Sequence, residues 1–592
     1  MKPHHVALAL VFGALSLGSA PCSAPLEVVS EEVHLAGHPE PHTPGSGLPE
    51  ETAPTPGLAA LLGPAPSLNR VSYLRTYAAN SVAETNTILI LVPGFLGGAA
   101  TFAPLAEQFV TAMNGLAEVW AIDRRPNQFE DRLGGAHAAA GAEQGDLDAI
   151  AEGMEFYFPD TDNPPLVGIG GAAGPEDGDV NLNGVIDGPF LLEDDFGVSR
   201  SWVKLAQDDV RFAAYWGIDT YARDWKLLVD AARAKVGPNG VVVFGGHSAG
   251  TGFAGIFAAY DFDPGPGVDA AYQKIDGLLL LEGGGPGAPS PSRPSLATYL
   301  SQVASLSGPG GPAIYLQSFQ GIDVPSLGAA AMVAGVAGLY DPTSPAVAQR
   351  TPVFGAPPIS LLFQARFSNR ASLGAFIDDD LSSFGAFRAS VGFSSDGPNQ
   401  WVATPDGDGF YFASPTGSVR QWQNIDDPSL PTCPPNSFNV SPGCAIVDNG
   451  AEGASPPAVW GVEREVTDID DLARVQFENG NFAEWYYLAG RVSLDQQFGR
   501  DSTSLGNESL LAVTQNANMD RPVLAIGGTN GLTPLASSWN SYFGSIATAP
   551  EDKEIALIEG YAHLDLLTAK NNDTVGVVRD WVVKLIGRKL AP

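Results

Sequence analysis

The sequence predicts an α/β protein: a mostly parallel sheet flanked by helices and enlarged by two long insertions. Three observations predict it. Unbroken aliphatic runs recur along the chain, TILILV at 87–92, GVVVF at 240–244, LLLL at 278–281 and PVLAI at 522–526, and such runs are strands buried on both faces. Helix-length segments stand between several of them, the rhythm of parallel strands joined by helical crossovers. The third observation is local. GHSAG at 246–250 comes directly after a buried run and directly before a small-residue segment, where a tight strand-to-helix turn would lift a side chain clear of the sheet.

Composition sets the frame. The chain has 592 residues, whereas a single α/β core reaches roughly 250, so a core with insertions is expected. An apolar fraction of 44% is ordinary for a folded protein, and 69 glycines with 48 prolines imply many loops. Lys+Arg 31 against Asp+Glu 66 leaves a net charge of −35. Such a surface repels nucleic acid and anionic head groups, which excludes nucleic acid as a partner.

The elements follow in order. Lys2, an apolar stretch at 6–17 and the small residues Gly18, Ser19 and Ala20 read as an export signal over 1–20, too short to span a bilayer. The mature protein is then periplasmic, cell-surface or extracellular. Cys22 opens a lipoprotein reading, with a membrane tether through its thiol, although Pro21 before it fits lipid attachment poorly. Residues 21–68 are rich in Pro, Glu, Ala and Gly and poor in aromatics, which predicts a disordered tether. His34, His38 and His42 lie there four apart, but Pro39, Pro41 and Pro44 break any helix that would gather them on a metal.

A first part of the core spans 69–125, with strands at 87–92 and 118–122 around a helix near 102–113. An irregular insertion occupies 126–217. The core resumes over 218–285 with a helix at 220–235, the strand at 240–244, the serine turn with its helix through Ala259, and the strand at 278–281. The second insertion, 286–519, holds many aromatics and turns, and an insertion of this size between core strands is expected to form a lid over a site. The last part, 520–592, adds strands at 522–526 and 554–558 and an amphipathic helix at 574–590 that presents Val575, Val578, Trp581, Val582, Leu585 and Ile586 on one side.

The serine turn carries the chemistry. Gly246 and Gly250 permit a strained backbone and leave room beside Ser248. In this context the chain resembles the α/β-hydrolase superfamily, in particular its secreted lipase- and esterase-like members. The resemblance covers the core segments near 73–125, 220–285 and 521–590 and not the insertions. It implies a nucleophilic serine, Ser248, with a histidine base later in the chain. Of eight histidines, two lie in the export signal and three in the tether. His137 falls in an insertion and His247 within the turn itself. His563, in GYAHLD after the last strand, stands where the resemblance places the base. A third group must orient the imidazole and stabilise its cation. The turn after PVLAI offers Asn530 where the family has aspartate, and the end of LLLL offers Glu282, a carboxylate hard to explain as core packing. Glu282 is the preferred acid and Asn530 the alternative. The backbone amides of Ala249 and Phe95, the latter in PGFLGG, would form the oxyanion hole.

Two further features are read from residue types. Asp179, Asn181, Asn183, Val185 and Asp187, with Gly184 for the sharp turn, alternate like the ligands of a calcium loop, although Phe190 stands where a bidentate glutamate would complete it. The rival reading is a solvated Asx-rich turn. Cys433 and Cys444 enclose a short loop, and export would let them pair as a disulfide. The expected function is an exported serine hydrolase that cleaves carboxylic esters, apolar or lipid-like, through an acyl-enzyme, with no cofactor required and calcium only as a structural ion. The alternatives are a serine peptidase or amidase with the same triad, and a non-catalytic, calcium-dependent surface-binding protein on a degenerate core.

Overall fold

The computed structural model describes residues 25–81, 84–159, 190–264, 268–319, 321–351, 366–379, 387–394, 400–403, 410–413, 419–424, 465–478, 480–508 and 510–590. The export signal with Cys22, the calcium-loop residues Asp179, Asn181, Asn183, Val185 and Asp187, and the pair Cys433 and Cys444 lie outside them. No helix among the described residues is long and apolar enough to cross a membrane.

Eight strands form one sheet: β1 (Val28–Ala36), β2 (Arg70–Ala78), β3 (Thr87–Val92), β4 (Ala117–Asp123), β5 (Val241–His247), β6 (Gly277–Leu281), β7 (Val523–Gly528) and β8 (Lys553–Ile558), in the order β1-β2-β4-β3-β5-β6-β7-β8. All pairs from β4 to β8 are parallel, and β2 alone runs against its two neighbours. The aliphatic runs become the buried centre because both faces are covered. Along β3, Ile88, Ile90 and Val92 enter one core and Leu89 and Leu91 the other, the period of two that a pleated strand imposes. The first face packs on the helices Ile218–Val236 and Ala249–Ala258, and the second on Ala103–Ala112 and Asp573–Leu590. In the last helix Val575, Val578, Trp581, Val582 and Leu585 are the buried aliphatic and aromatic positions, one face of a 3.6-residue repeat.

Three expectations are corrected. The stretch read as a disordered tether over 21–68 contains β1, paired antiparallel with β2 from Val28↔Ala78 to Ala36↔Arg70, and the helix Pro56–Leu62 capped by Thr55. Average composition hid a nine-residue β-capable run, VVSEEVHLA, whose charges suit a sheet edge. Trp216 Nε1 donates to the buried Thr43 at 2.8 Å, and His42 stacks on Tyr215 with ring centroids 3.6 Å apart. Secondly, the insertion read as irregular over 126–217 contains the helices Leu133–Glu143 and Asp148–Tyr157. LGGAHAAAGAE has no amphipathic period because its contact is made by backbone: a Cβ on Gly153 would fall 2.5 Å from the Gly134 carbonyl oxygen. Thirdly, β5 continues past GVVVF through Gly245, Gly246 and His247, because these residues still pair with Leu91, Val92 and Leu281.

The second insertion contributes the helices Val324–Tyr340, Asn369–Ile377 and Ile469–Val475, which pack on one another. The first of them has almost no amphipathic asymmetry, with most of its residues from Val324 to Gly338 buried, as expected of a helix surrounded by other elements.

Candidate active site

The turn at the end of β5 is built by its neighbours as much as by its own residues. Ser248 has φ +56° and ψ −125°, a conformation that costs a non-glycine residue of the order of 1–3 kcal/mol. Its N–H donates to the Leu281 carbonyl at 2.8 Å, and its carbonyl accepts from Thr251 Oγ1 at 2.7 Å. A Cβ on Gly246 would lie 2.3 Å from the Gly250 carbonyl oxygen, and one on Gly250 would lie 2.1 Å from that of Val92. Both positions therefore require glycine, and Ser248 is left half-buried at the junction.

Glu282 is the first residue beyond β6 and also has a positive φ, +52°. Its side chain is buried and surrounded by donors: Gly528 N–H at 2.8 Å, Leu532 N–H at 2.6 Å, Thr533 Oγ1 at 2.9 Å and His563 Nδ1 at 2.9 Å. Burial works against its ionisation. The hydrogen bond and charge of His563, with the amides of Gly528 and Leu532, outweigh burial and hold the carboxyl below its ordinary range. A Cβ on Gly531 would lie 2.3 Å from Glu282 Oε2, so the turn after β7 is glycine-built in order to approach the carboxylate.

His563 follows β8 and is buried. A carboxylate on Nδ1 makes that atom the protonated nitrogen and leaves the Nε2 lone pair available. Nε2 has no hydrogen-bond partner among the described residues, and His563 and Ser248 line one cavity without a closed Oγ–Nε2 hydrogen bond. Catalytic hydrogen bonds commonly tighten only with substrate in place. Asn530, the alternative acid, has its amide nitrogen 3.4 Å from the Gly560 carbonyl, while Glu282 occupies His563 Nδ1. His137 lies in the first insertion against Glu152, at 2.7 Å.

The turn after β3 closes the other side. A Cβ on Gly94 would lie 2.8 Å from Ser248 Cβ and 3.3 Å from its Oγ, so Gly94 borders the serine directly, and Phe95 lines the same cavity. Ala249 opens the helix that follows Ser248. Most of the remaining cavity wall is apolar, and much of it comes from the second insertion, including Val324, Leu327, Leu373, Phe376 and Phe387, with Gln476 and Glu484 of the same insertion and Thr101 of the core as polar members.

A mostly parallel eight-stranded sheet whose second strand is reversed, a serine elbow after the fifth strand, and the chain order Ser248, Glu282, His563 now stand together. This is the α/β-hydrolase fold. No protein-family model matches the sequence, and no curated protein does. Among solved structures the chain is similar to a Sulfolobus solfataricus protein described as a lipase, at 13% identity over 96% of this chain and 98% of that one, with a TM-score of 0.39. It is also similar to an epoxide hydrolase of Vigna radiata, at 10% identity over 88% and 95% with a TM-score of 0.32. A third is a peroxisomal α/β-hydrolase of Saccharomyces cerevisiae, at 8% identity over 95% and 90% with a TM-score of 0.31.

Three contributions to this site were not legible in the sequence. His247 is buried, its Nε2 donates to the His563 carbonyl at 3.0 Å, and the two rings lie 4.5 Å apart. Burial, reinforced by the neighbouring imidazole, holds His247 well below its ordinary pKa and hence neutral. Asp565, two residues beyond His563, accepts from Ala562 N–H at 2.7 Å, Thr467 Oγ1 at 2.7 Å and Ser390 Oγ at 2.8 Å, and so ties the histidine turn to the second insertion. Arg124 reaches the turn after β3. Apart from Ala562 and Asp565, the partners in these contacts are far apart in the chain, and no local pattern announces them.

Proposed function

We propose that this protein is an exported serine hydrolase that cleaves carboxylic esters with an apolar, lipid-like acyl part. The observation that carries the reading is the line Glu282–His563 at 2.9 Å, ending at a cavity shared with a serine on a strained elbow. Ser248 Oγ attacks the ester carbonyl and gives its proton to His563 Nε2. Glu282 fixes the tautomer and stabilises the imidazolium that forms. The carbonyl oxygen becomes an oxyanion held by the amides of Ala249 and Phe95. Collapse breaks the ester C–O bond, and His563 returns its proton to the leaving alcohol. Water, activated by the same imidazole, then releases the acid. The apolar wall supports an apolar acyl part, since desolvating a polar one there would cost free energy.

The test is labelling of the full chain with a fluorophosphonate, which reacts with an activated serine, beside turnover of p-nitrophenyl esters of increasing chain length. Ser248→Ala should lose labelling and lower turnover on the order of 10⁶-fold, and His563→Ala should also lose labelling. Persistent labelling of Ser248→Ala would remove this reading.

A further inference from the structure

Arg124 follows the last residue of β4 and is only 2% exposed. Its guanidinium lies behind the turn that follows β3. Nη1 donates to the Pro93 carbonyl at 2.7 Å, Nη2 to those of Gly94 at 2.8 Å and Gly97 at 3.1 Å, and Nε to Glu484 Oε2 at 2.7 Å. A guanidinium presents its donors in a rigid planar fork. Three carbonyls of one short turn are therefore gathered onto one side.

A trans peptide group is planar, so its C=O and N–H point in opposite directions. The Gly94 carbonyl and the Phe95 N–H belong to the same group. Fixing the carbonyl on Arg124 turns the Phe95 N–H away from the guanidinium. Gly94 and Phe95 line the cavity with Ser248, and Arg124 is not part of that wall. A half-turn of this peptide would instead present a carbonyl oxygen where a developing negative charge needs a donor.

The carboxylate that holds Arg124 comes from the second insertion, 360 residues away. Its whole segment docks on the turn. Glu484 N–H donates to the Leu96 carbonyl at 2.8 Å, Gly98 N–H to Phe482 at 2.8 Å and Ala100 N–H to Asn481 at 3.0 Å. Leu96, between them, has φ +56°, a backbone state that persists only where the surroundings over-determine it.

We propose that Arg124 and Glu484 are positioning residues for the oxyanion hole: the guanidinium orients the Gly94–Phe95 peptide, and the insertion supplies the carboxylate that orients the guanidinium. This rests on the serine-hydrolase reading. It makes the second insertion a part of the machinery that stabilises the transition state, beyond its role as a wall of the cavity.

The experiment compares wild type, Arg124→Lys, Glu484→Gln and Ser248→Ala in the full chain. It measures kcat and KM for an ester, and the affinity for two inhibitors of equal chain length. One is a trifluoromethyl ketone, to which Ser248 adds to leave an oxyanion. The other is the matching alcohol, which forms none. Lysine keeps the charge, but its three donors radiate from one nitrogen and cannot reproduce the planar fork that serves three carbonyls and Glu484 together. Arg124→Lys should lower kcat about 10²- to 10³-fold, leave KM nearly unchanged, weaken the ketone by a similar factor and leave the alcohol alone. Glu484→Gln, which keeps the shape, should show the same pattern at smaller size and carries the test if Arg124→Lys does not fold. Folded variants that bind the ketone like wild type overturn the proposal, and so does equal weakening of both inhibitors. Ser248→Ala with wild-type turnover would remove the serine reading itself, a result distinct from either.

Discussion

Two turns meet at Ser248, and they are held in different ways. The elbow at 246–250 is fixed by residues within a few positions of it and by the adjacent strands, with two glycines at sites where a Cβ would meet backbone oxygen. The turn at 93–98 is fixed from a distance, by Arg124 at the end of β4 and by residues 481–484 of the insertion. One turn is self-contained and the other is borrowed. The geometry of the proposed nucleophile accordingly belongs to the core sheet, while that of the proposed oxyanion donor depends on an element that the core alone does not contain.

After loss of Ser248 itself, the largest effect should come from the acid on the core side. The partners of Glu282 include the N–H groups of Gly528 and Leu532 and His563 Nδ1. Glu282→Gln would set an amide nitrogen against a donor and force the imidazole into the wrong tautomer. Turnover should fall on the order of 10⁴-fold, with the melting temperature measured in parallel; turnover within tenfold of wild type would mean that another group serves the histidine. Next comes the elbow. Gly250→Ala places a methyl 2.1 Å from the Val92 carbonyl oxygen, and a displacement of about 1 Å costs roughly 10² in turnover. Unchanged kcat there would show that the elbow absorbs the methyl without losing its geometry.

The smallest effect concerns stability beside the borrowed turn. Asp123 is buried, accepts from Ala99 N–H at 2.8 Å and from Asn127 Nδ2 at 2.7 Å, and burial raises its pKa to about 7. A folded-state value above the unfolded one means that the folded protein binds more protons between the two. Stability therefore falls as pH rises from about 4 to about 7, by a few kcal/mol at most. Asp123→Asn keeps the acceptor and cannot ionise. Urea unfolding at several pH values should show the variant gaining on wild type as pH rises, and parallel curves would refute this assignment.

The same contrast explains what could be read from the sequence. TILILV, LLLL and PVLAI announce strands because burial on both faces leaves only aliphatic residues. Ser248 is announced by its glycines, and Glu282 by a charge at the end of an apolar run. β1 was missed because an edge strand needs neither an apolar face nor an unbroken run, and Glu31, Glu32 and His34 sit in it comfortably. Arg124 and Glu484 were missed for another reason. Each is an ordinary charged residue until folding sets one beside the other, and no spacing in the chain encodes that contact.

The Glu282–His563 contact spans 281 positions. Closing so long a loop carries an entropic cost in folding, so the contact forms only once the sheet is assembled from β6 through β8. A folding chain in which β7 and β8 have not yet joined β6 holds Ser248 without the imidazole proposed to activate it. On the proposed reading, hydrolysis therefore arises with the docking of the last strands and not with the folding of the elbow.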